Sequence, residues 1–305
     1  MSQEIHGEGS FLIHYDVEWK NLLEEDRFRK ELCENILEQY ILNQRWYGGK
    51  ASALKYIEII DDFPIEREGD LFYGIVLEVN YKEAFVQNYF LPIAFVTDAD
   101  LIGDKYIVRI KLNGVDGYLV DALILESFRK QIFEKILEGD KFKYKEVAYR
   151  RGRTNDAKSY ESSRLMGVEQ SNTSIIYNDK YILKIFRRVY VDENPDYEIS
   201  KYLTMKGTFI NTPKYLGSIT LRFSNKNVIT LGLLQALVPN QGDAWEYFTH
   251  ELKLIFEELS RQKPNVDSLQ VTKYLEQIRI DQIPSKILAW CPQSFFTDVA
   301  QIAKR

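Results

Sequence analysis

The stretch GVEQSNTSIIYNDKYILKIFRRVYVDENPDYE, Gly167 to Glu198, decides the reading of this chain. Apolar and β-branched residues predict strands at about Ser163 to Val168, Thr173 to Tyr177 and Tyr181 to Phe186. Asn178-Asp179 is the hairpin turn between the last two. Asn194 is a good N-cap and Pro195 suits the first helical position, so a helix starts there and carries Glu198 in its first turns. Period-two alternation places Lys184 on one strand face with Ile182 and Phe186. A lysine on a face otherwise lined by large apolar groups needs a partner or a ligand.

Strand, polar turn, strand, lysine-bearing strand and glutamate-bearing helix is the order of parts with which a kinase N-lobe grips ATP phosphates. In that reading Lys184 meets the α/β-phosphates and Glu198 pairs with it. The turn Gln170, Ser171, Asn172, Thr173 cradles an anion with free N–H groups, and Ile182 lies against adenine. The run LGLLQALV, Leu231 to Val238, is then the hinge, with backbone groups of Gln235, Ala236 and Leu237 at the adenine edge. Plainer readings fit the same residues: Lys184 as an exposed edge-strand lysine, Glu198 as a carboxylate favoured by the helix dipole, 170–173 as a β-turn, Leu231 to Val238 as a core strand. A kinase also needs an Asp to position the attacking hydroxyl, and an Asn and a second Asp for Mg²⁺. No such segment follows, so no catalytic and no metal-ligating residue is assigned.

Working outward, Trp19 to Ile41 reads as a helix or helix pair, with apolar residues at spacings of three and four. Strand-like segments follow at Leu54 to Ile60, Leu71 to Asn80, Ala84 to Val96, Lys105 to Leu112 and Tyr118 to Val120, and their short connections suggest an antiparallel meander. Asp121 to Glu138 reads as a helix. The fold class expected is α+β: a curled antiparallel sheet with helices over residues 1–140, a kinase-like N-lobe over 141–240, and the start of a helical lobe over 241–305. The boundary is placed in the charged stretch Lys141 to Tyr160, whose basic run YRRGR, Tyr149 to Arg153, reads as a solvated linker, ahead of a phosphate or nucleic-acid contact. Tyr215 to Ser218 and Val228 to Leu237 read as further strands. Ala244 to Arg261, Ser268 to Ile280 and Ser294 to Lys304 read as helices.

Composition removes other classes. A net charge of −5 argues against nucleic acid and anionic membranes as partners. The two cysteines, Cys33 and Cys291, lie far apart without a CxxC, read as small buried hydrophobes, and suit a reducing cytoplasm. No apolar run reaches transmembrane length, and MSQEIHGEGS is not a signal peptide.

Five stretches in order carry a more specific resemblance: RWYGGK (Arg45 to Lys50), GVEQSNTS (Gly167 to Ser174), ILKIFRR (Ile182 to Arg188), NPDYEI (Asn194 to Ile199) and LVPNQGDAWEY (Leu237 to Tyr247). As a set they resemble the maltokinase family, the trehalose-synthase-linked branch of aminoglycoside-phosphotransferase-like kinases. The resemblance implies an N-terminal cap over roughly the first 140 residues, ATP as phosphate donor, Mg²⁺, maltose phosphorylated at its C1 hydroxyl, and trehalose synthase as a partner. It implies the roles given above for Lys184, Glu198, the 170–173 turn and Gln235 to Leu237. It assigns no chemistry to RWYGGK, whose Gly-Gly is expected to allow a tight turn. The family's His-Gly-Asp segment and later metal-binding Asp are absent, so the chain is expected to be a catalytically incomplete portion of such a kinase. The alternative is a non-catalytic module docking on trehalose synthase or on a separate kinase lobe. Another small-molecule phosphotransferase of the superfamily fits RWYGGK and PNQGDAWEY less well.

Overall fold

The computed structural model describes residues 12–139, 143–144, 147–167, 171–207, 209–222, 228–263 and 285–303. The helix expected over Ser268 to Ile280 lies outside the described residues, as does the segment MSQEIHGEGS. The chain divides into two compact units, Met1–Val238 and Pro239–Arg305. The α+β class is observed.

The first unit opens with strand β1 (Leu12–Tyr15) and the expected helical stretch, which runs in pieces: a 3₁₀ turn at Trp19–Glu24, α1 (Asp26–Glu31), a π-type turn at Leu32–Ile36 and α2 (Leu37–Leu42). The first sheet follows with β2 (Leu54–Arg67), β3 (Asp70–Tyr81), β4 (Val86–Val96), β5 (Val108–Leu112) and β6 (Val115–Asp121). Its order is β1-β5-β6-β4-β3-β2. The expected simple meander is therefore corrected in its second half. Tight turns join β2, β3 and β4, but the segment after β4 bypasses the neighbouring position, which β6 takes, and β5 closes as a hairpin beyond it. β1 then pairs parallel to β5. Only tight turns dictate that consecutive strands are neighbours, and the β4–β5 connection is not one.

After a 3₁₀ turn at Ala122–Ile124, helix α3 (Glu126–Glu138) begins. The second sheet contains β7 (Lys143–Tyr144), β8 (Val147–Arg151), β9 (Ser163–Leu165), β10 (Asn172–Tyr177) and β11 (Tyr181–Phe186). A short strand β12 (Arg188–Val189) returns to the first sheet beside β4. Helix α4 (Pro195–Met205) and strands β13 (Tyr215–Arg222) and β14 (Val228–Ala236) complete the second sheet, whose order is β7-β8-β13-β14-β11-β10-β9. The basic run at Tyr149 to Arg153 thus begins within a paired strand rather than in a linker. Tyr149 is buried, β8 pairs with β13, and the Arg151 guanidinium is satisfied by the carbonyls of Leu137, Asn155 and Ala157. The arginines of the run, Arg150, Arg151 and Arg153, remain exposed, so their charge is not taken out of water.

Helix α3 is the seam between the sheets. Toward the first, Phe128 meets Phe72 edge-on, Gln131 Nε2 donates to the Ile65 carbonyl at 2.9 Å, and Arg67 bridges Glu134 and Glu138. Toward the second, Phe133 stacks on Tyr177, whose hydroxyl donates to the Arg129 carbonyl. One hydrophobic core runs through both sheets and this helix, and another lies under the 19–42 helices on the far face of the first sheet. The second unit holds α5 (Ala244–Gln262), α6 (Ser285–Leu288) and α7 (Gln293–Ala303), tied by a hydrogen bond from the Tyr247 hydroxyl to Asp298. No helix among the described residues is long and apolar enough to cross a membrane. Cys33 and Cys291 are half-buried rather than buried.

Candidate functional site

The hairpin that carries Lys184 forms as the local chemistry dictates. Asn178 and Asp179 adopt φ of 54° and 50°, the left-handed pair a two-residue hairpin requires, and Asn178 Oδ1 accepts the N–H groups of Glu161 and Ser162. β11 lies between β10 and β14, so Lys184 is not on an edge strand. Its cross-strand neighbours are Ser174 on β10 and Leu233 on β14, while Ile182 faces Ile176 and Gln235. Lys184 and Ile182 are half-buried. The Ser174 hydroxyl, directly across from Lys184, is buried with no hydrogen-bond partner among the described residues.

Helix α4 lies on this face. Asn194 caps it, its Oδ1 accepting from the Asp196 N–H at 2.9 Å, with Pro195 in the first turn. Tyr197, Ser200 and Thr204 turn toward the sheet: Ser200 Oγ accepts from the buried Gln235 amide at 2.8 Å, and Thr204 Oγ1 accepts from the Tyr215 N–H. The carboxylate that reaches Lys184 is Asp196, with Nζ to Oδ2 at 3.7 Å, and Glu198 makes no ion pair with it. Helical geometry explains the choice. Residues two apart are turned by about 200° around the axis, so 196 and 198 flank the sheet-facing stripe on opposite sides. Glu198 is exposed.

Of the turn expected to cover the phosphates, Gln170 lies outside the described residues, Ser171 is exposed and Asn172 half-buried. Asn172 and Ser174 share Lys184's face, whereas Thr173, opposite Ile185, is turned to the other face and accepts a hydrogen bond from Arg187 Nε at 2.8 Å. At the segment expected to be the hinge, β14 leads through Gln235 into Ala236 and Leu237. The Ala236 N–H donates to the Lys214 carbonyl and the Leu237 N–H to the Lys180 carbonyl, so both are engaged within the protein. Among the described residues no group of three or more His, Cys, Asp or Glu side chains is placed to hold a metal ion. The residues present do not fit Mg²⁺ by themselves.

Sequence reasoning missed a second constellation, on the opposite face of the sheet. Arg187 sits where the chain crosses from β11 to β12. Its guanidinium is buried, pairs through Nη2 with Asp121 at the end of β6, and lies 5.2 Å over the Trp46 ring. Its carbonyl accepts from the Phe90 N–H at 2.7 Å. Arg45, next to Trp46, reaches the Gly167 carbonyl at 3.5 Å. RWYGGK thus packs against the segment following Lys184. Its glycines have no positive φ. Gly49 opens a turn closed by the Ser52 N–H on its carbonyl at 3.0 Å, and a Cβ there would also fall 2.0 Å from the Tyr81 hydroxyl and 2.6 Å from that of Tyr47, so close approach adds to the turn. The paired arginines of ILKIFRR were the available signal: an arginine directly after a buried strand needs a buried partner.

No protein-family model matches the chain. Solved structures of glucosamine kinase are similar over part of it. One in complex with glucosamine, ADP and inorganic phosphate has 12% identity and a TM-score of 0.41, covering 71% of this chain and 43% of its own. Glucosamine kinase in crystal form A has 14% identity and a TM-score of 0.40, with 70% and 41% covered. In crystal form B the values are 12% and 0.39, with 76% and 46% covered. The chain spans less than half the length of these structures.

Proposed function

We propose that the second sheet is the nucleotide-gripping part of an ATP-dependent sugar kinase, with residues 1–140 as its cap, 141–240 as its N-lobe and 241–305 as the start of a helical lobe. The observation that carries the reading is Lys184. It is half-buried on an interior strand and steered by a carboxylate from the helix that follows. It lies opposite a buried hydroxyl that has no partner among the described residues. Such an ammonium suits the α- and β-phosphates of ATP, with Asp196 in the orienting role the sequence had given to Glu198. Ile182 and the strand through Gln235 would flank the adenine, met by groups other than the engaged N–H groups of Ala236 and Leu237. The reaction class is transfer of the γ-phosphoryl group to a sugar hydroxyl, whose proton leaves as the new P–O bond forms and ADP departs. Maltose as acceptor, trehalose synthase as partner and a cytoplasmic setting rest on the resemblance of the five motifs and the cysteine usage. The sequence holds no His-Gly-Asp segment. What is proposed of these residues is therefore nucleotide binding, with general-base and Mg²⁺ chemistry supplied from elsewhere.

Calorimetric titration with ATP and ADP tests this. The chain is expected to bind both, and Lys184→Ala to weaken binding at least about tenfold. Affinity untouched by Lys184→Ala overturns the assignment. Incubation with ATP and maltose is expected to yield no maltose 1-phosphate above background, and formation of that product would overturn the catalytically incomplete reading.

A further inference from the structure

The face of the second sheet turned away from Lys184 borders a cleft of about 760 Å³, lined in part by Tyr40, Arg45, Lys105, Tyr106, Thr173 and Arg187. That volume falls among small-molecule sites. Arg187, at its base, is a buried cation with three engaged groups: Nη2 on Asp121, Nε on the Thr173 hydroxyl, and its planar face on Trp46. Its Nη1 is buried and has no hydrogen-bond partner among the described residues. An unmatched guanidinium donor is costly and calls for an acceptor.

The remaining charges point the same way. Asp121 neutralises Arg187, and its other carboxylate oxygen accepts from the Leu123 N–H. Arg45 and Lys105 are exposed, and among the described residues no carboxylate lies within ion-pair distance of either. Asp104 also lines the cleft and offsets one of the two. The balance is one positive charge. Tyr40 faces Asp121 and Arg187, and burial followed by the Asp121 charge holds its hydroxyl protonated, hence able to donate.

We propose that this cleft binds a small phosphate monoester, the phosphate held by Arg45 and Lys105 above Arg187 and the organic body set against Tyr40 and Tyr106. Phosphate suits it better than carboxylate. Three acceptor oxygens match the several donors that Arg45, Lys105 and Arg187 present, where a single carboxylate offers two oxygens. The inference does not rest on the nucleotide reading, because Lys184 and Arg187 belong to opposite faces of the sheet.

Calorimetric titrations of the whole chain with glucose 6-phosphate, inorganic phosphate and glucose test the site. Glucose 6-phosphate is expected to bind saturably with a Kd of about 1 mM or tighter, and glucose not at all. The double variant Arg45→Ala/Lys105→Ala is expected to weaken binding at least about tenfold, while Lys184→Ala leaves it unchanged. Arg187→Lys, which keeps the charge and loses the planar donors, is expected to weaken it several-fold. Should that variant fail to fold, the exposed Arg45 and Lys105 variants decide. The proposal is overturned by absence of saturable binding, by saturation with inorganic phosphate alone, or by binding lost in Lys184→Ala and kept in the double variant. The last outcome would move the anion to the strand face of Lys184, leaving the nucleotide reading standing.

Discussion

Asp196 and Glu198 both lie in the first turn of one helix, yet only Asp196 lies on the flank that faces Lys184. If Asp196 orients the lysine, Asp196→Asn is expected to weaken ATP binding by several-fold while Glu198→Gln leaves it within error, read by the same titration. The reverse ranking would show that ligand binding rotates the helix and brings Glu198 in. A partly exposed pair of this kind contributes at most about 1 kcal/mol to stability, so neither variant should shift the urea midpoint appreciably. The Arg187–Asp121 pair is a different case, because both side chains are almost fully buried. Asp121→Ala leaves a buried guanidinium facing no charge and removes the acceptor for the Leu123 N–H. The expected loss is about 3–5 kcal/mol, measured by urea unfolding. A loss below about 1 kcal/mol would mean that water or a bound anion replaces the carboxylate.

Helix α3 is buried on both sides because both sheets press on it. That explains why its sequence, ESFRKQIFEKILE, hides Gln131 and Lys135 as well as Phe128 and Ile132. Each buried polar side chain has an assigned task or neighbour: Gln131 bonds Ile65, and Lys135 lies over the Tyr149 ring, its pKa lowered by burial and then by the Arg67 charge. On the opposing strand β13, Gly217 makes room for the helix. A Cβ there would fall 2.5 Å from Ile136 Cγ2 and 2.7 Å from the Arg150 carbonyl. The backbone carbonyl cannot swing aside as a side chain can. Gly217→Ala is therefore expected to cost about 1–3 kcal/mol, checked by chemical denaturation. The sequence showed that α3 exists, since its apolar residues recur at helical spacing. It did not show a second buried side, because the polar residues there are matched by partners far away in the chain.

At the scale of the molecule, tyrosine is the titrating residue type most often buried among the described residues. Burial raises the pKa of Tyr40, Tyr89, Tyr149 and Tyr177. The sign follows from linkage: a group with a raised folded pKa contributes stability that is intact below its unfolded value and lost as pH climbs through the folded one. For tyrosine the loss begins at about pH 10. Urea midpoints are expected to fall steeply above that pH, with tyrosinate absorbance appearing at the unfolding transition rather than before it. Tyrosinate formation ahead of unfolding would mean that the seam between the sheets admits water. At this scale the sequence reading did well on class and less well on connection: β8 and β12 were unforeseen, and they join the basic stretch to the second sheet and the Lys184 segment to the first.

Short-range chemistry was readable from sequence. The Asn178-Asp179 turn, the Asn194-Pro195 helix start and the lysine on an apolar strand face each depend on residues a few positions apart, where sterics and capping act directly. The tertiary structure alone decided which carboxylate meets Lys184, where Thr173 points, why Gly49 must be glycine, and that Arg187, Asp121 and Trp46 come together. Those outcomes depend on helix phase, strand parity and packing between residues separated by long stretches of chain. Sequence patterns carry no direct signal for them, because any distant partner of matching charge or shape satisfies the same local sequence.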